Sequence, residues 1–366
     1  MQSLYLSGYY GMKNSGDDAL MLAAAMGARQ FLNVQDLVVG SFSPVLLPEI
    51  DYRPAALREP QRIRGENRIR NYFHAVGCDA VLFGGGSVFH TAQDINVKRH
   101  MARLSGVAFA LGVGVGPFRD TAAERACQAY LRAGHRIRVR DQVSYEIATA
   151  LAPEADIGLS FDLAPLLLTH PAANLIEPAK RQGICVCLCP RERLQGNAMA
   201  EAKRIRALAT ALNRVAAETG EKVTLLDFNG HPELGDHAVH RELAALLSPG
   251  VLASHIAYNG DPLRVLQSLS HFKVIIGMRL HAAILGFMAQ TPVLALNYHS
   301  KSEGWCEQIG LARNLQFSCG KASEAQHSAE DIQAMTTALI DGLSQGFQPP
   351  VMNRDEALQK SLLNWR

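Results

Sequence analysis

Net charge is what these 366 residues have least of: the formal balance is only +2. That excludes a nucleic-acid binder relying on a broad basic field. Local basic runs exist, Arg62, Arg64, Arg68 and Arg70, then Arg132, Arg136, Arg138 and Arg140, and the first reads as a solvated helix face. No apolar run approaches the roughly 20 residues of a bilayer-spanning helix, and Met1–Gly8 reads as the start of a strand rather than a signal peptide. Seven cysteines include no CxxC pair. Cys185, Cys187 and Cys189 alternate, so on one strand they would share a face at about 7 Å spacing, poor geometry for a tetrahedral metal. They read as buried thiols acting as small apolar residues, in a reducing compartment. Nucleotide-binding signatures are missing too. From Gly84, Gly112 and Gly114 the GxGxxG register meets Phe89, Pro117 and Arg119, and neither GKS nor GKT occurs. These absences predict a soluble, cytoplasmic protein.

What is present is a globular composition, 48% hydrophobic and 19% charged with 30 glycines, in a chain long enough for two cores. Leu4–Ser7 leads to a helix near Asp17–Arg29. Leu37–Gly40, Ala80–Phe83, Val107–Val115 and Ile137–Arg140 follow as strands, several ending in glycine, before a helix Val143–Leu151. These runs do not alternate, which predicts a parallel sheet covered by helices. Pro165–Gln182, with prolines at 165, 171 and 178, breaks the rhythm and reads as an interdomain linker. A second series runs through Ile184–Leu188, the helix Ala198–Thr219, Val223–Phe228, Val251–Ala253, Val274–Ile276 and a last strand Val293–Leu296. Helices Asp331–Leu343 and Asp355–Leu363 end it. The expectation is an α/β protein of two Rossmann-like domains facing a cleft. Residues 1–170 would form one and 180–345 the other, with 346–366 a C-terminal helix packing back on the first.

In such a fold, ligand chemistry belongs at the C-terminal edges of the strands. Gly85 and Gly86 either let backbone approach a ligand or simply make tight turns. Asn14-Ser15-Gly16-Asp17-Asp18 opens the first helix, where Ser15 with Asp18 resembles a capping box. Two carboxylates there would repel a phosphate, so Asp17 and Asp18 suit sugar hydroxyls or proton transfer. His90 and Asp94, just past the triple glycine, are placed for a ligand. In the second half, Val274–Ile276 runs into a small-residue helix, which puts Arg279 and His281 at the ligand edge. Free N–H groups there favour an anion, Arg279 adds a planar fork for carboxylate or phosphate, and His281 can carry a proton near neutral pH. Otherwise the histidine caps its own helix. Lys301 either reaches the same crevice or is a solvated loop lysine. His231, His237 and His240 have no acidic or thiol partner at convincing spacing and read as structural or exposed.

Taken in order, these motifs resemble the polysaccharide pyruvyl transferase family. The matching pieces are Asn14–Ala19, Phe83–Ser87 with Asp94, Gly112–Pro117, Val139-Arg140-Asp141 with Ser144, Asp162-Leu163-Ala164, Arg279-Leu280-His281 and the Tyr298–Lys301 turn. The resemblance implies a GT-B-like fold and phosphoenolpyruvate as donor, with no cofactor besides that co-substrate. A saccharide, free or lipid-linked, would be the acceptor in cell-surface polysaccharide biosynthesis. Arg140 and Arg279 would hold the donor's charged groups and His281 would be catalytic. The first domain, with Asn14, Gly85, Gly86, His90 and Asp94, would serve the acceptor; the second, with Lys301 and Arg191, the donor. One departure stands out. Many relatives carry an arginine directly after the first strand of the second domain, where this chain reads Cys187-Leu188-Cys189-Pro190-Arg191. Cys189 takes that place and Arg191 is the candidate replacement. The expected chemistry starts with protonation of the enolpyruvyl methylene. A sugar hydroxyl then attacks C2 while His281 manages its proton, phosphate leaves, and a second hydroxyl closes a ketal. Asp17 or Asp18 would orient the acceptor or move the second proton. No metal is required, because arginine neutralises the charge. Membrane association would be at most peripheral, at the inner face. The rivals are an NDP-sugar glycosyltransferase on the same fold and a non-catalytic saccharide-binding protein.

Overall fold

Short runs of aliphatic residues with no polar alternation can only be buried on both faces, and they form the central strands among the thirteen that the described residues contain. The structure, a computed structural model, describes residues 1–319 and 329–366. In the first domain lie β1 (Ser3–Tyr10), β2 (Asp36–Ser41), β3 (Arg53–Pro54), β4 (Ala80–Phe89), β5 (Ala108–Val115), β6 (Arg136–Val139) and β7 (Ile157–Leu159). In the second lie β8 (Ile184–Cys187), β9 (Val223–Leu226), β10 (Leu252–Ile256), β11 (Val274–Gly277), β12 (Val293–Asn297) and β13 (Gln316–Ser318). The orders are β3-β2-β1-β4-β5-β6-β7 and β10-β9-β8-β11-β12-β13, with every ladder parallel. Each sheet grows outward one way, returns to its first strand and grows the other way. This leaves a crevice beside β1/β4 and another beside β8/β11. The fold is α/β with two Rossmann-like domains facing a cleft, as in GT-B enzymes.

Two expectations are corrected. β4 does not stop at Phe83 but runs through its triple glycine to Phe89, with a register shift between Gly86 and Phe89, while β5 ends at Val115 as expected. Gly85 adopts φ +76°, and a Cβ there would lie 2.8 Å from Leu20 Cδ2, so close packing on the first helix requires glycine. The strand Val293–Leu296 is not the last. β13 follows it, three half-exposed residues too short and too polar to show a period. The stretch 165–182 joins the two sheets and begins as ordered chain, since Ala164–Thr169 coils into a 3-10 helix whose Leu166 and Leu167 are fully buried.

The helix Ser15–Leu32 packs on Ala164–Thr169 and on helices Pro262–Leu269 and Leu280–Met288 of the second domain. One apolar cluster accordingly runs through both domains, from Leu20 and Leu22 to Leu266 and Leu285. The C-terminal helix Arg354–Leu362 returns to this seam, where Trp365 stacks on Phe31 at 5.6 Å. Mid-helix glycine normally weakens a helix by about 1 kcal/mol. Gly27 is needed nonetheless, because a Cβ there would sit 1.9 Å from Trp365 Cζ2. Asn364 fixes the tail: it donates to the Phe161 carbonyl at 3.0 Å and accepts from Ser160 Oγ at 2.8 Å. All seven cysteines are buried and free. Cys185 and Cys187 share a face with sulfurs 3.8 Å apart, but the strand ends at Cys187 and Cys189 packs in a different cluster.

Candidate functional site

The start of the helix Ser15–Leu32 is where the domains meet. Ser15 N donates to the Phe228 carbonyl and Gly230 N to the Lys13 carbonyl, both at 2.8 Å, so this turn is zipped to the loop after β9. The expected capping box is not formed. Asn14 is the cap, accepting from Gly16 N at 3.1 Å and donating to Asp17 Oδ2 at 2.7 Å. An asparagine side chain carries an acceptor oxygen and a donor amide, so it serves the helix and the carboxylate together. Gly16 is packed under His281: a Cβ there would lie 2.6 Å from Nδ1.

The neighbouring carboxylates part ways. Asp18 is fully buried and accepts from Tyr258 Oη at 2.7 Å, a contact between domains. Burial and the adjacent Asp17 push its pKa up to about 7 against the Tyr258 hydrogen bond. Asp17 is half-buried. Burial raises its pKa to about 6, while His281, the Asn14 amide, Arg279 and Arg140 pull the other way. Asp17 therefore stands where residues from both domains converge.

Arg140, immediately after β6, is buried. It donates through Nη1 to Asp162 Oδ2 at 3.1 Å and through Nη2 to Ser87 Oγ at 3.4 Å. The carboxylate of Asp162 also lies 3.6 Å from His281 Nε2. Burial works against ionising Asp162, but His281, Arg140 and the Ala164 N–H together bring its pKa down to about 2. From the second domain Lys301 reaches across, donating to Ser87 Oγ at 2.6 Å, and Gln308 donates to the Arg140 carbonyl at 2.9 Å. Burial, then the positive charge of Arg140, lower the Lys301 pKa to about 8. A cavity of about 430 Å³ opens here, with Arg140, Asp162 and Lys301 on its wall beside Val143, Leu280 and Trp305.

Arg279, two residues past β11, is engaged differently. Its Nε donates to both oxygens of Asp236, at 2.9 and 2.8 Å, and its Nη2 to Oδ1. Asp236 is fully buried and also accepts from Phe228 N at 3.0 Å and Asn229 N at 2.8 Å. The guanidinium edge expected to face a ligand is thus taken by a carboxylate, which leaves Nη1. Arg191 lies over the Tyr298 ring at 5.5 Å, and Tyr298 in turn feels Cys189, Arg279 and Asp236. Arg191 does come beside the Arg279 centre that Cys189 borders.

On the first-domain rim, His90 is exposed. Asp94 receives Lys98 Nζ at 2.6 Å and Tyr9 Oη at 3.1 Å, both on Oδ2. Asp17 is within electrostatic reach of His281, Arg279 and Arg140, and Lys301 meets Arg140 on Ser87, whereas Gly85 and Gly86 pack against Leu20. Asp162 and Ser87 were visible only as parts of motifs; their position at strand ends was the available signal. Asp236 and Tyr258 had none.

Among the described residues one group has metal-ligand chemistry: Asp227, His240 and His255. It corrects the reading of His240, which is fully buried with an acidic partner. Leu188 N donates to His240 Nε2 at 2.9 Å, so the proton is on Nδ1 and points to Asp227 Oδ1. With both nitrogens committed, this ring has no lone pair for a metal. The cluster ties β9 to β8 and β10.

Comparison with known proteins agrees with this architecture. The sequence pattern of the family described as "Polysaccharide pyruvyl transferase" matches residues 14–300. Solved structures of similar shape include a UDP-GlcNAc 2-epimerase from Neisseria meningitidis bound to UDP-GlcNAc. It has a TM-score of 0.61 at 11% identity, covering 99% of this chain and 100% of that one. The UDP-GlcNAc 2-epimerase of Methanocaldococcus jannaschii gives 0.61 at 10% identity over 98% and 97%. Anabaena HepE in complex with UDP-glucose gives 0.55 at 11% identity over 99% and 98%. At these identities the likeness is one of fold.

Proposed function

The chain belongs to the polysaccharide pyruvyl transferase family, and we propose that it transfers the pyruvyl group of phosphoenolpyruvate to two hydroxyls of a saccharide, forming a cyclic ketal. The observation that carries this reading is the pairing of Arg140 and Lys301 across the cleft on Ser87, next to His281 and Asp162. Two cations with one hydroxyl between them suit a dianionic phosphate more than a neutral sugar. Arg279, with Nη1 remaining, suits the single carboxylate.

Asp17 supplies the first proton. Its pKa of about 6 keeps a fraction protonated near neutrality, and it protonates C3 of the donor, leaving C2 electrophilic. An acceptor hydroxyl forms the C2–O bond and gives its proton to Nδ1 of His281, whose Nε2 faces Asp162. The C2–O bond to phosphate then breaks, the electron pair leaving with phosphate on Arg140 and Lys301. The second hydroxyl attacks the resulting cation and gives its proton to the Asp17 carboxylate, closing the ring. Asp94, whose contacts all use Oδ2, offers Oδ1 to acceptor hydroxyls alongside His90. The requirement met by these residues is for fixed charge and two proton carriers, with no cofactor beyond the co-substrate.

A ligand at 100 times its Kd stabilises the folded chain by about 2.7 kcal/mol. Thermal unfolding with phosphoenolpyruvate, UDP-sugars and GDP-sugars therefore reads donor class directly. Stabilisation by phosphoenolpyruvate that shrinks in Lys301→Ala is expected. Stabilisation by a nucleotide sugar alone would overturn the reading in favour of glycosyl transfer.

A further inference from the structure

The basic run Arg62–Arg70 is more than a solvated face. The helix Glu66–Val76 buries one side on the sheet, where Ala75 is fully buried and Asn71 accepts from Tyr5 Oη at 2.5 Å. Residues 69, 73 and 76 fall at i, i+4 and i+7, opposite that side. They are apolar and bare: Ile69 is 59% exposed, Phe73 73% and Val76 63%, and Ile63 just before the helix is 63% exposed. Single exposed apolar residues are ordinary; three in one stripe, with Ile63 exposed just ahead of the helix, are not.

Arginine surrounds the stripe. Arg62, Arg64 and Arg68 are exposed and make no ion pair with the described residues. The one acid within the helix is neutralised, since Glu66 receives Arg70 at 2.9 Å, lies 3.4 Å from Arg58 and accepts from Arg62 N at 2.8 Å. The preceding loop is fastened down. Arg58 N donates to Asn67 Oδ1 and Asn67 Nδ2 donates to the Arg58 carbonyl, both at 2.9 Å. Ile63 and its arginines are thus presented on a shaped, ordered surface.

We propose that this helix and its preceding loop dock on an anionic lipid surface, with Ile63, Ile69, Phe73 and Val76 entering the interface and Arg62, Arg64 and Arg68 meeting headgroup phosphates. An apolar stripe edged by cations matches such a surface in both respects. A helix that joins parallel strands runs antiparallel to them, so its N-terminal end lies at their C-terminal edge. Arg62, Ile63 and Arg64 therefore sit at the edge that carries the cleft, and docking would bring the cleft close to lipid-borne saccharide. The inference does not depend on the donor, because it is read without turnover.

The test is flotation of the full chain with vesicles of phosphatidylglycerol and phosphatidylcholine, and with phosphatidylcholine alone. Binding only to the anionic vesicles is expected, weakening as salt is raised. Phe73→Ser should lower the partition coefficient roughly tenfold or more, and Arg62→Gln with Arg64→Gln roughly fivefold per charge. Unchanged thermal unfolding of each variant shows that folding is intact. No flotation on anionic vesicles would overturn the proposal, as would equal binding to both vesicle types or indifference to Phe73→Ser. Self-association abolished by Phe73→Ser, without lipid binding, would assign the face to a second copy instead.

Discussion

Arg140 and Arg279 hold the same charge at the same kind of place, just past the C-terminal end of a parallel strand, yet the fold commits them differently. Arg279 is matched edge to edge by Asp236, a fully buried carboxylate that also takes two backbone N–H groups. Arg140 gives one nitrogen to Asp162, which lies beside His281, and another to a serine that Lys301 also touches. The first arrangement is a closed ion pair holding a loop in place. The second is an open cluster on the wall of a cavity, in which Arg140 is shared among Asp162, the more distant Asp141 and Ser87. An arginine's meaning at a strand end is therefore set by the partner that reaches it.

The comparison can be broken from either side. The largest effect is expected at the open centre: His281→Ala should reduce phosphate release on the order of 10²–10⁴-fold while phosphoenolpyruvate binding by calorimetry stays near that of the parent. Normal turnover in that variant would remove His281 from the chemistry. At the closed centre the damage should be to stability. Asp236→Ala leaves a guanidinium and two N–H groups without their partner, and breaking a buried pair costs about 3–5 kcal/mol. Urea unfolding that showed less than about 1 kcal/mol would mean the pair is not structural.

Lys301→Ala sharpens the contrast. A charge-assisted contact is worth about 1.5–3 kcal/mol, so donor affinity should fall roughly tenfold to a hundredfold. Stability should hold, because a half-buried ammonium is removed rather than stranded. The pH dependence has a definite sign. Lys301 titrates at about 8; below that it is cationic and attracts the donor, above it is neutral. Phosphoenolpyruvate affinity should therefore decline as pH rises through about 8, and Lys301→Arg should abolish the decline. A flat profile in the parent would place the donor elsewhere.

The strand–helix alternation, the two parallel sheets and the strand-end positions of Arg140, Arg279 and His281 were legible because each is encoded locally, by period and by residue type. Their partners were not. Asp236 lies in a polar loop 43 residues from Arg279, and only the order β9-β8-β11 brings the two together. Lys301 and Ser87 stand 214 residues apart on different domains, so their contact depends on how the domains close. Asp17 and Asp18 looked alike because sequence gives neighbours on a helix start the same chemistry. It cannot say which one a tyrosine 240 residues away will claim.

That last pair yields the smallest effect and the cleanest separation. If Tyr258 is Asp18's structural partner, Tyr258→Phe should cost about 0.5–1.5 kcal/mol, the net worth of one hydrogen bond, with turnover nearly intact. The stronger signature is in the pH profile. The Asp18 pKa rises on folding, from an ordinary carboxylate value to about 7. The folded state thus keeps a proton that the unfolded chain loses near pH 4. The stability this contributes is fully present below pH 4 and is lost as pH climbs through about 7. Asp18→Asn cannot ionise, so its stability should be flatter than the parent's between those limits, while phosphate release changes little. Asp17→Asn should do the reverse, slowing turnover because its proton is the one delivered to the donor. If Asp18→Asn halted turnover and Asp17→Asn spared it, the two carboxylates would have to exchange roles.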